Sequence, residues 1–285
     1  MLKQFHLIGL ISWLALAASP SAAVESVMGY RTNARMPYIS DGTGNGIYRD
    51  LYTTACKRVG CTLKIVRLPK ERINRALHEG EVDFYPGYAF NLIREQSVFF
   101  FPNGLVERFA IVNPESAPPI KSFSDLIGQR ELRSLGNPSY LPPDIQNQTQ
   151  TYHVSELGIP RALHMLRLGR ADFFIYDDVT LRFYWLTEET NGLRFNSPLE
   201  AERAMYTAWS KRSHLYQTLP NTAYRNGLPI SPENHPQRLN PASIPGRLQA
   251  ELARMQQSGE TSLIVQRHLT PPRPGGAETS VVPSR

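Results

Sequence analysis

The stretch Ala76-Leu-His-Glu-Gly80-Glu-Val-Asp83-Phe-Tyr85 recurs later as Met165-Leu-Arg-Leu-Gly169-Arg-Ala-Asp172-Phe-Phe174. Each copy predicts a helix end, a Gly, an Asp in the following turn and then an apolar strand. Gly ends a helix well because it takes the left-handed conformation without a Cβ clash. The apolar run suits a strand that is buried on both faces. Two such copies predict two α/β lobes of similar construction, with a cleft between them that suits a small molecule.

Composition and charge narrow the class of protein. The chain has 285 residues, of which 41% are hydrophobic and 20% charged, so it can form one large or two modest packed domains. The net charge is +6, but Lys and Arg are scattered without a run. A nucleic-acid partner is therefore not expected.

The first 23 residues have the pattern of a secretory signal peptide. Lys3 precedes an apolar stretch from Leu7 to Ala18, and Ser21 and Ala23 are the small residues that a signal peptidase requires. No later segment is apolar enough to span a bilayer. The sequence therefore predicts export and a mature protein in the periplasm.

The two cysteines, Cys56 and Cys61, flank Gly60, which is expected to end a helix and turn the chain back. An oxidising compartment favours a Cys56–Cys61 disulfide, and the alternative is a pair of buried free thiols. The His residues are dispersed, and none pairs with Cys or another His at ligand spacing. Neither a metal site nor a cofactor is expected.

Strand and helix patterns alternate along the chain, which predicts mostly parallel sheets flanked by helices. The helices Ile47–Val59 and Ile244–Gln257 are the clearest, and the Pro-rich stretch Leu228–Pro245 is expected to be irregular. A proline cluster from Pro114 to Pro119 marks the start of a second lobe. The expected organisation is a first lobe from residues 24–112 and 205–270, a second lobe from residues 113–204, and a disordered tail at residues 271–285.

The order and spacing of several motifs resemble those of family 3 bacterial extracellular solute-binding proteins, the periplasmic binders of polar amino acids and related compounds. The resemblance implies a two-lobed type II periplasmic binding fold, with two crossover strands and closure on the ligand. The motifs that carry it are Leu68-Pro-Lys-Glu-Arg72, Gly80-Glu-Val-Asp83, Gly87–Glu95, Phe100-Phe-Pro102, Gly169–Asp177, Met205–Lys211 and Leu248–Gly259.

The resemblance also implies site residues. Arg94 would grip the ligand carboxylate, Asp177 the ammonium, and Tyr38 would supply a cleft aromatic ring. The alternatives are a surface arginine for Arg94 and a helix N-cap for Asp177. Further ligand-binding candidates are Arg72, Gly87, Tyr88, Asn91 and Tyr176.

Two departures from the family pattern argue against a standard α-amino acid ligand. Ala89 stands where the family has a carboxylate-binding Thr, and Pro138 cannot donate a backbone hydrogen bond in the second-lobe turn.

The resemblance implies a monomeric binding protein, not an enzyme, that captures a small polar or zwitterionic solute for an inner-membrane ABC permease. One alternative is an enzyme on the same fold, similar to cyclohexadienyl dehydratase, for which Glu107 and Glu156 are possible carboxylates. Such an elimination needs a general acid in the cleft. The other alternative is a ligand sensor that acts in trans on a membrane partner.

Overall fold

The computed structural model of the chain describes residues 24–32, 34–40, 45–135, 139–155, 157–199 and 202–270. The expected signal peptide, residues 1–23, and the expected tail, residues 271–285, lie outside them. The strands are β1 (Val24–Arg31), β2 (Cys61–Leu68), β3 (Phe84–Tyr88), β4 (Val98–Glu107), β5 (Phe109–Pro114), β6 (Arg130–Ser134), β7 (Gln150–Val154), β8 (Phe173–Asp177), β9 (Leu193–Asn196), β10 (Arg203–Ser210), β11 (Thr218–Pro220) and β12 (Gln237–Leu239). The helices are α1 (Ile47–Val59), α2 (Lys70–Glu79), α3 (Leu92–Glu95), α4 (Pro143–Gln146), α5 (Ile159–Arg167), α6 (Asp178–Thr187), α7 (Ile244–Gln257) and α8 (Glu260–Leu269), with a 3₁₀ turn at Phe123–Leu126. Among these described helices, none has the length and apolar character needed to cross a bilayer.

The strands form two five-stranded sheets, which confirms the two-lobed α/β fold. The first sheet has the order β2-β1-β3-β10-β4 and the second the order β7-β6-β8-β5-β9. We call the first sheet with α1, α2, α3, α7 and α8 the first lobe, and the second sheet with α4, α5 and α6 the second lobe. The two sheets thus share one topology, as the repeated sequence unit predicts.

Each sheet is mixed, so the expectation of mostly parallel sheets holds for only half of the strand pairs. β1 pairs in parallel with β2 and β3, whereas β10 is antiparallel to β3 and β4. In the second sheet β6 is parallel to β7 and β8, and β5 is antiparallel to β8 and β9. The antiparallel strands β5 and β10 each enter from the other lobe. They lack the helical crossover that parallel neighbours require.

The chain passes between the lobes at two places. β4 ends at Glu107 and β5 begins at Phe109, so only Arg108 lies between the sheets at the first passage. This passage is earlier than the boundary expected after Val112, because β5 pairs with β8 and β9. Glu202 lies on the return passage, just before β10, and its Oε1 is 3.2 Å from Arg108 Nη1 on the first passage. This ion pair connects the two passages to each other.

Both faces of each sheet are covered by apolar side chains. In the first lobe, Leu51 of α1 and Leu248 of α7 are buried in one apolar cluster, and Ile73 of α2 is buried in a separate one. In the second lobe, Leu163 of α5 is buried in one cluster and Ile145 of α4 in another. Burial on both faces explains why the central strands β3 and β8 are near-continuous apolar runs rather than alternating ones.

The repeated unit has the same structural role in both lobes. Gly80 and Gly169 have φ angles of 84° and 65°, the left-handed conformation expected after each helix. The carboxylate of Asp83 accepts a 2.7 Å hydrogen bond from the backbone N–H of Val27, and that of Asp172 a 2.8 Å bond from Arg130. Each Asp N–H in turn donates to the carbonyl of the same partner at 2.9 Å. Each Asp therefore fastens its own strand to the adjacent parallel strand.

The expected Cys56–Cys61 disulfide is wrong, because both residues are free, buried cysteines. The neighbouring Cys61 raises the pKa of the Cys56 thiol first, and burial adds to the rise. Cys56 lies in the last turn of α1 and Cys61 opens β2, and both pack into the first-lobe core.

The Pro-rich stretch Leu228–Pro245 is also more regular than expected. Gln237–Leu239 forms β12, which pairs antiparallel with β11. Pro245 lies in the first turn of α7, where its missing N–H would have had no helical partner. The prolines thus exclude regular structure only from the part of the stretch that precedes Gln237.

Candidate functional site

The two lobes meet where β4 and β8 end and α6 begins, and charged groups are buried there. The Tyr38 hydroxyl of the first lobe donates to Asp177 Oδ2 of the second lobe across 3.4 Å. Tyr38 is 1% exposed and Asp177 2% exposed. Tyr38 lies in a short turn after β1, closed by reciprocal backbone hydrogen bonds of 2.7 and 2.8 Å between Arg35 and Ile39. This turn therefore holds Tyr38 against the second lobe.

Arg35, on the same turn, is the positive centre of the site. Its Nη2 lies 3.0 Å from Glu107 Oε1, and its guanidinium carbon lies 4.8 Å from the centre of the Tyr38 ring. Burial by itself would lower the pKa of Arg35, but the neighbouring groups, Tyr48 and Asp177 first, raise it well above its ordinary value. Arg35 is therefore charged at any physiological pH.

Asp177 has the N-cap role considered for it, and its second oxygen faces the other lobe. Its Oδ1 accepts a 2.8 Å hydrogen bond from the backbone N–H of Thr180, so it is the N-cap of α6. Its Oδ2 faces Tyr38 in the first lobe. Burial raises the pKa of Asp177, and Arg35 opposes the rise. The guanidinium group that acts on this carboxylate is thus that of Arg35.

Tyr48 of α1 brings a buried hydroxyl group into the same cluster. Its ring centre lies 5.1 Å from that of Tyr38, and its hydroxyl has no hydrogen-bond partner among the described residues. The hydroxyl lies directly over Gly87 of β3, where any Cβ would clash with it. Gly87 is thus required for a close approach of backbone and side chain. Burial raises the pKa of Tyr48 well above its ordinary value, so the hydroxyl keeps its proton.

The second lobe contributes two tyrosines to the site. Tyr140 stacks on Phe109 with ring centres 4.0 Å apart, and its ring is perpendicular to that of Tyr176 at 6.4 Å. Ser139 accepts a 3.0 Å hydrogen bond from Arg133 Nη2, which anchors the segment that carries Tyr140. The half-buried Tyr176 near the end of β8 stacks on Phe174 of the second lobe with ring centres 5.8 Å apart, and it is one of the groups that raise the pKa of Arg35.

Arg94 lies on the first-lobe side of the cleft. Asn91 caps the short helix α3 by accepting a 3.1 Å hydrogen bond from the Arg94 N–H, so its side chain positions Arg94. The Arg94 guanidinium carbon lies 4.6 Å from the centre of the Tyr88 ring. Arg94 and Arg35 both oppose the rise in the pKa of Tyr85, which burial raises and Tyr176 raises further. Arg94 is thus close to the same cleft, although no contact joins it to Asp177 in the described structure.

The remaining candidate, Arg72, is exposed on α2, whose buried face consists of Ile73, Ala76 and Leu77. Glu107, one of the two carboxylates considered for an enzyme, is in the cleft and paired with Arg35. The other, Glu156, lies outside the described residues.

Sequence reasoning missed Arg35, Tyr48 and Tyr140. One signal pointed to Arg35: it follows the carboxyl end of β1, and ligands of open α/β sheets bind at that edge. Tyr48 looks like an ordinary apolar position of α1, and only the three-dimensional packing shows that its hydroxyl is unpartnered.

No protein-family model matches the chain, and no curated protein matches its sequence. Solved structures do match it. The ligand-binding core of GluR0 in complex with L-glutamate is 14% identical over 88% of this chain and 100% of that one, with a TM-score of 0.63. An ancestral arginine-binding protein bound to arginine is 17% identical over 88% of this chain and 100% of that one, with a TM-score of 0.59.

A third match is the second substrate-binding domain of a putative amino acid ABC transporter from Streptococcus pneumoniae. It is 16% identical over 86% of this chain and 100% of that one, with a TM-score of 0.60. At such identities the likeness establishes the fold. The chain therefore has the two-lobed fold of the periplasmic solute-binding proteins and related ligand-binding domains.

Proposed function

We propose that the chain captures a small polar, amino-acid-like solute between its two lobes. The observation that carries this proposal is the buried cluster of charges at the junction of the lobes, built around Arg35, Tyr38 and Asp177. Buried charges are costly unless they are paired and hydrogen-bonded, so a purely structural contact would be better made from apolar groups. A concave site with a few convergent polar groups is the usual form of a small-molecule site.

The similar structures support this class of ligand. The GluR0 core is described as a complex with L-glutamate, and the ancestral protein as bound to arginine. In this chain, Arg94 offers a planar guanidinium to a carboxylate, and Asp177 and the ring of Tyr38 offer a carboxylate and an aromatic surface to the rest of the solute. Tyr88, Asn91 and Gly87 support that site from the first lobe, Tyr176 closes it from the second, and Arg72 extends it along α2.

Solute binding would then drive closure of the lobes. Contacts to Arg94 from one lobe and to Asp177 from the other form together only in the closed state. A ligand shifts the population by its difference in affinity for the two states. We further propose that the exported monomer delivers its solute to an ABC permease of the inner membrane, in line with the substrate-binding domain that it resembles.

A thermal-shift screen of amino acids, polyamines and small carboxylates tests the binding proposal. A ligand at 100 times its dissociation constant adds about 2.7 kcal/mol to the free energy of unfolding. We expect at least one of these solutes to raise the melting temperature of the wild-type protein. Uptake of the labelled solute, compared between cells with and without this chain, then tests delivery to a transporter.

One observation keeps the enzyme alternative open. Glu107 places a carboxylate in the cleft, beside the guanidinium of Arg35. If it serves as a general acid, purified protein will consume prephenate or arogenate, and Glu107→Gln will abolish that turnover. If the chain is a binding protein, neither compound will be consumed at any protein concentration.

A further inference from the structure

Three cationic side chains converge on the first-lobe side of the cleft. Arg31 ends β1 and is in register with Leu68 at the end of β2. Lys70 opens α2 two positions later, and Arg94 lies over the Tyr88 ring on α3. The pKa of Lys70 is lowered by partial burial first, and then by the guanidinium groups of Arg31 and Arg94. We call Arg31, Lys70 and Arg94 the cationic triad.

Glu71, next to Lys70 in the chain, opposes the lowering of the Lys70 pKa, but no carboxylate forms an ion pair with the triad in the described part of the chain. Arg35 has Glu107 as its ion-pair partner, but no ion pair within 4.0 Å joins Asp or Glu to Arg31, Lys70 or Arg94 among the described residues. Three like charges in one region repel each other and destabilise the compact state. Such an arrangement is expected where an anion is to be attracted and bound.

The backbone next to the triad also favours an anion. The N-cap position of α2 is Pro69, whose side chain makes no capping hydrogen bond, and α2 spans ten residues from Lys70 to Glu79. The N–H groups of an uncapped first turn, together with the helix dipole, attract negative charge. On the neighbouring strand β3, the buried Tyr85 responds to the same cations, since Arg31 and Arg94 both oppose the rise of its pKa that burial causes.

On the second-lobe side of the cleft, the negative charge of Asp177 is already stabilised by neighbouring groups. Asp177 accepts hydrogen bonds from Thr180 and Tyr38, and Arg35 stabilises its charge. The carboxylate that would receive a ligand ammonium therefore already has hydrogen-bond partners, whereas no carboxylate is paired with the triad among the described residues. The charge balance of the cleft favours a ligand with more than one negative group.

Given the solute-binding function proposed above, we infer that the ligand is a small dicarboxylate. Arg94 binds one carboxylate group, while Arg31 and Lys70 form a second subsite for the other. The dicarboxylate comes either with an amino group, as in an acidic amino acid, or without one, as in a plain diacid. Lys70 and Arg31 thus decide which solutes this chain selects.

Calorimetric titration with four probes tests this inference: L-glutamate, glutarate, L-glutamine and L-arginine. We expect one of the two diacids to bind at least about tenfold more tightly than L-glutamine, since a charge-assisted contact contributes a factor of this order. If L-glutamate binds more tightly than glutarate, the ligand carries an amino group, which we assign to Asp177. If glutarate binds more tightly, the ligand is a plain diacid.

Variants then assign the second subsite. Lys70→Ala and Arg31→Gln are expected to weaken diacid binding about tenfold while leaving L-glutamine binding unchanged. Lys57→Ala is the matched control, because Lys57 is exposed in the last turn of α1, at the opposite end of the sheet. Unchanged diacid affinity in both triad variants would overturn the subsite.

The failure of this inference differs from the failure of the proposed function. If L-glutamine or L-arginine binds as tightly as the diacids, the dicarboxylate ligand is wrong and solute binding stands. If neither these probes nor the wider set of amino acids, polyamines and carboxylates binds to the wild-type protein, solute binding is wrong, and the dicarboxylate inference with it.

Discussion

The hydroxyl of Tyr38 lies 3.4 Å from Oδ2 of Asp177, and this hydrogen bond joins two residues that are 139 positions apart in the chain. Tyr38 belongs to the first lobe. Asp177 belongs to the second lobe, where it is the last residue of β8 and the N-cap of α6. Both side chains are buried, so the contact fixes the relative position of the lobes at their junction.

Tyr38→Phe is therefore expected to lower the free energy of unfolding by about 1 kcal/mol, the net contribution of a typical hydrogen bond. The ring remains and can still pack against Arg35 and Tyr48. Urea denaturation of both proteins measures the difference. A loss above about 3 kcal/mol would instead indicate disrupted packing, because it exceeds the value of a single hydrogen bond.

The buried Asp177 should make stability depend on pH in a definite direction. Burial raises its folded-state pKa above the ordinary value of 3.8, so its contribution to stability is fully present below that value and is lost as the pH rises through the raised pKa. Asp177→Asn, which can still accept from Thr180, should become more stable relative to wild type as the pH rises over this range.

Asp125→Asn is the matched comparison, because the folded-state pKa of Asp125 is lowered whereas that of Asp177 is raised. Hydrogen bonds from the backbone N–H groups of Lys121 and Ser122 lower the pKa of Asp125, so its stabilisation is present above the ordinary pKa and lost as the pH falls through the lowered one. Denaturation curves of both variants between acid and neutral pH should therefore diverge from wild type in opposite directions. Parallel curves for Asp177→Asn and wild type would contradict the raised pKa.

Arg94 is expected to contribute directly to ligand binding. Arg94→Ala should weaken binding by roughly 2–5 kcal/mol, since it leaves the ligand carboxylate unpaired. Arg94→Lys should also bind weakly, because an ammonium group cannot make the two parallel bonds of a guanidinium. Calorimetry with the solute found in the screen measures both.

The control for Arg94 is Arg170→Ala. Arg170 is exposed in the turn before β8, at the end of the second sheet away from Asp177. Its removal should leave the affinity unchanged. If wild type and Arg94→Ala bind the solute with equal affinity, Arg94 is a surface arginine and does not contact the ligand.

The repeated aspartates should differ in their effect on stability although their roles are the same. Asp83 is 3% exposed and also accepts a 2.5 Å hydrogen bond from Ser213, whereas the Asp172 side chain is 48% exposed. Asp83→Ala should lower the free energy of unfolding by about 3 kcal/mol, because it leaves buried donors unpaired. Asp172→Ala should lower it by about 1 kcal/mol, since water can replace the carboxylate. Equal losses in denaturation experiments would contradict this difference.

Gly87 tests the close approach of β3 and Tyr48. Gly87→Ala should destabilise the protein by about 1–3 kcal/mol, because its Cβ would clash with the Tyr48 hydroxyl. In a Tyr48→Leu background the same change should have a smaller effect, since the clashing hydroxyl is gone. A double-mutant cycle by urea denaturation measures this coupling.

The sequence was sufficient for the elements whose signals are local. The helices Ile47–Val59 and Ile244–Gln257 have the predicted bounds, and Gly80 and Gly169 end their helices in the left-handed conformation. The repeated unit correctly indicated two lobes of one topology. Sequence reasoning also named Tyr38, Asp177 and Glu107, which the structure brings to the junction of the lobes.

The sequence-based predictions that were wrong concern how segments pack against each other in three dimensions. Cysteine spacing favoured a disulfide, but in the first-lobe core the two cysteines are packed as free, buried thiols. Strand alternation predicted mostly parallel sheets, but β5 and β10 arrive from the opposite lobe and run antiparallel.

The sequence by itself determined the alternation of strands and helices, the helix ends and the doubled α/β unit, because periodicity and capping act within about one or two turns of chain. Only the tertiary structure decided that Arg35 and Tyr38 face Asp177, and that the Tyr48 hydroxyl lies over Gly87. Those contacts depend on how two separately packed lobes meet. That geometry is set by the sum of many weak interactions across both cores, and no single stretch of sequence contains it.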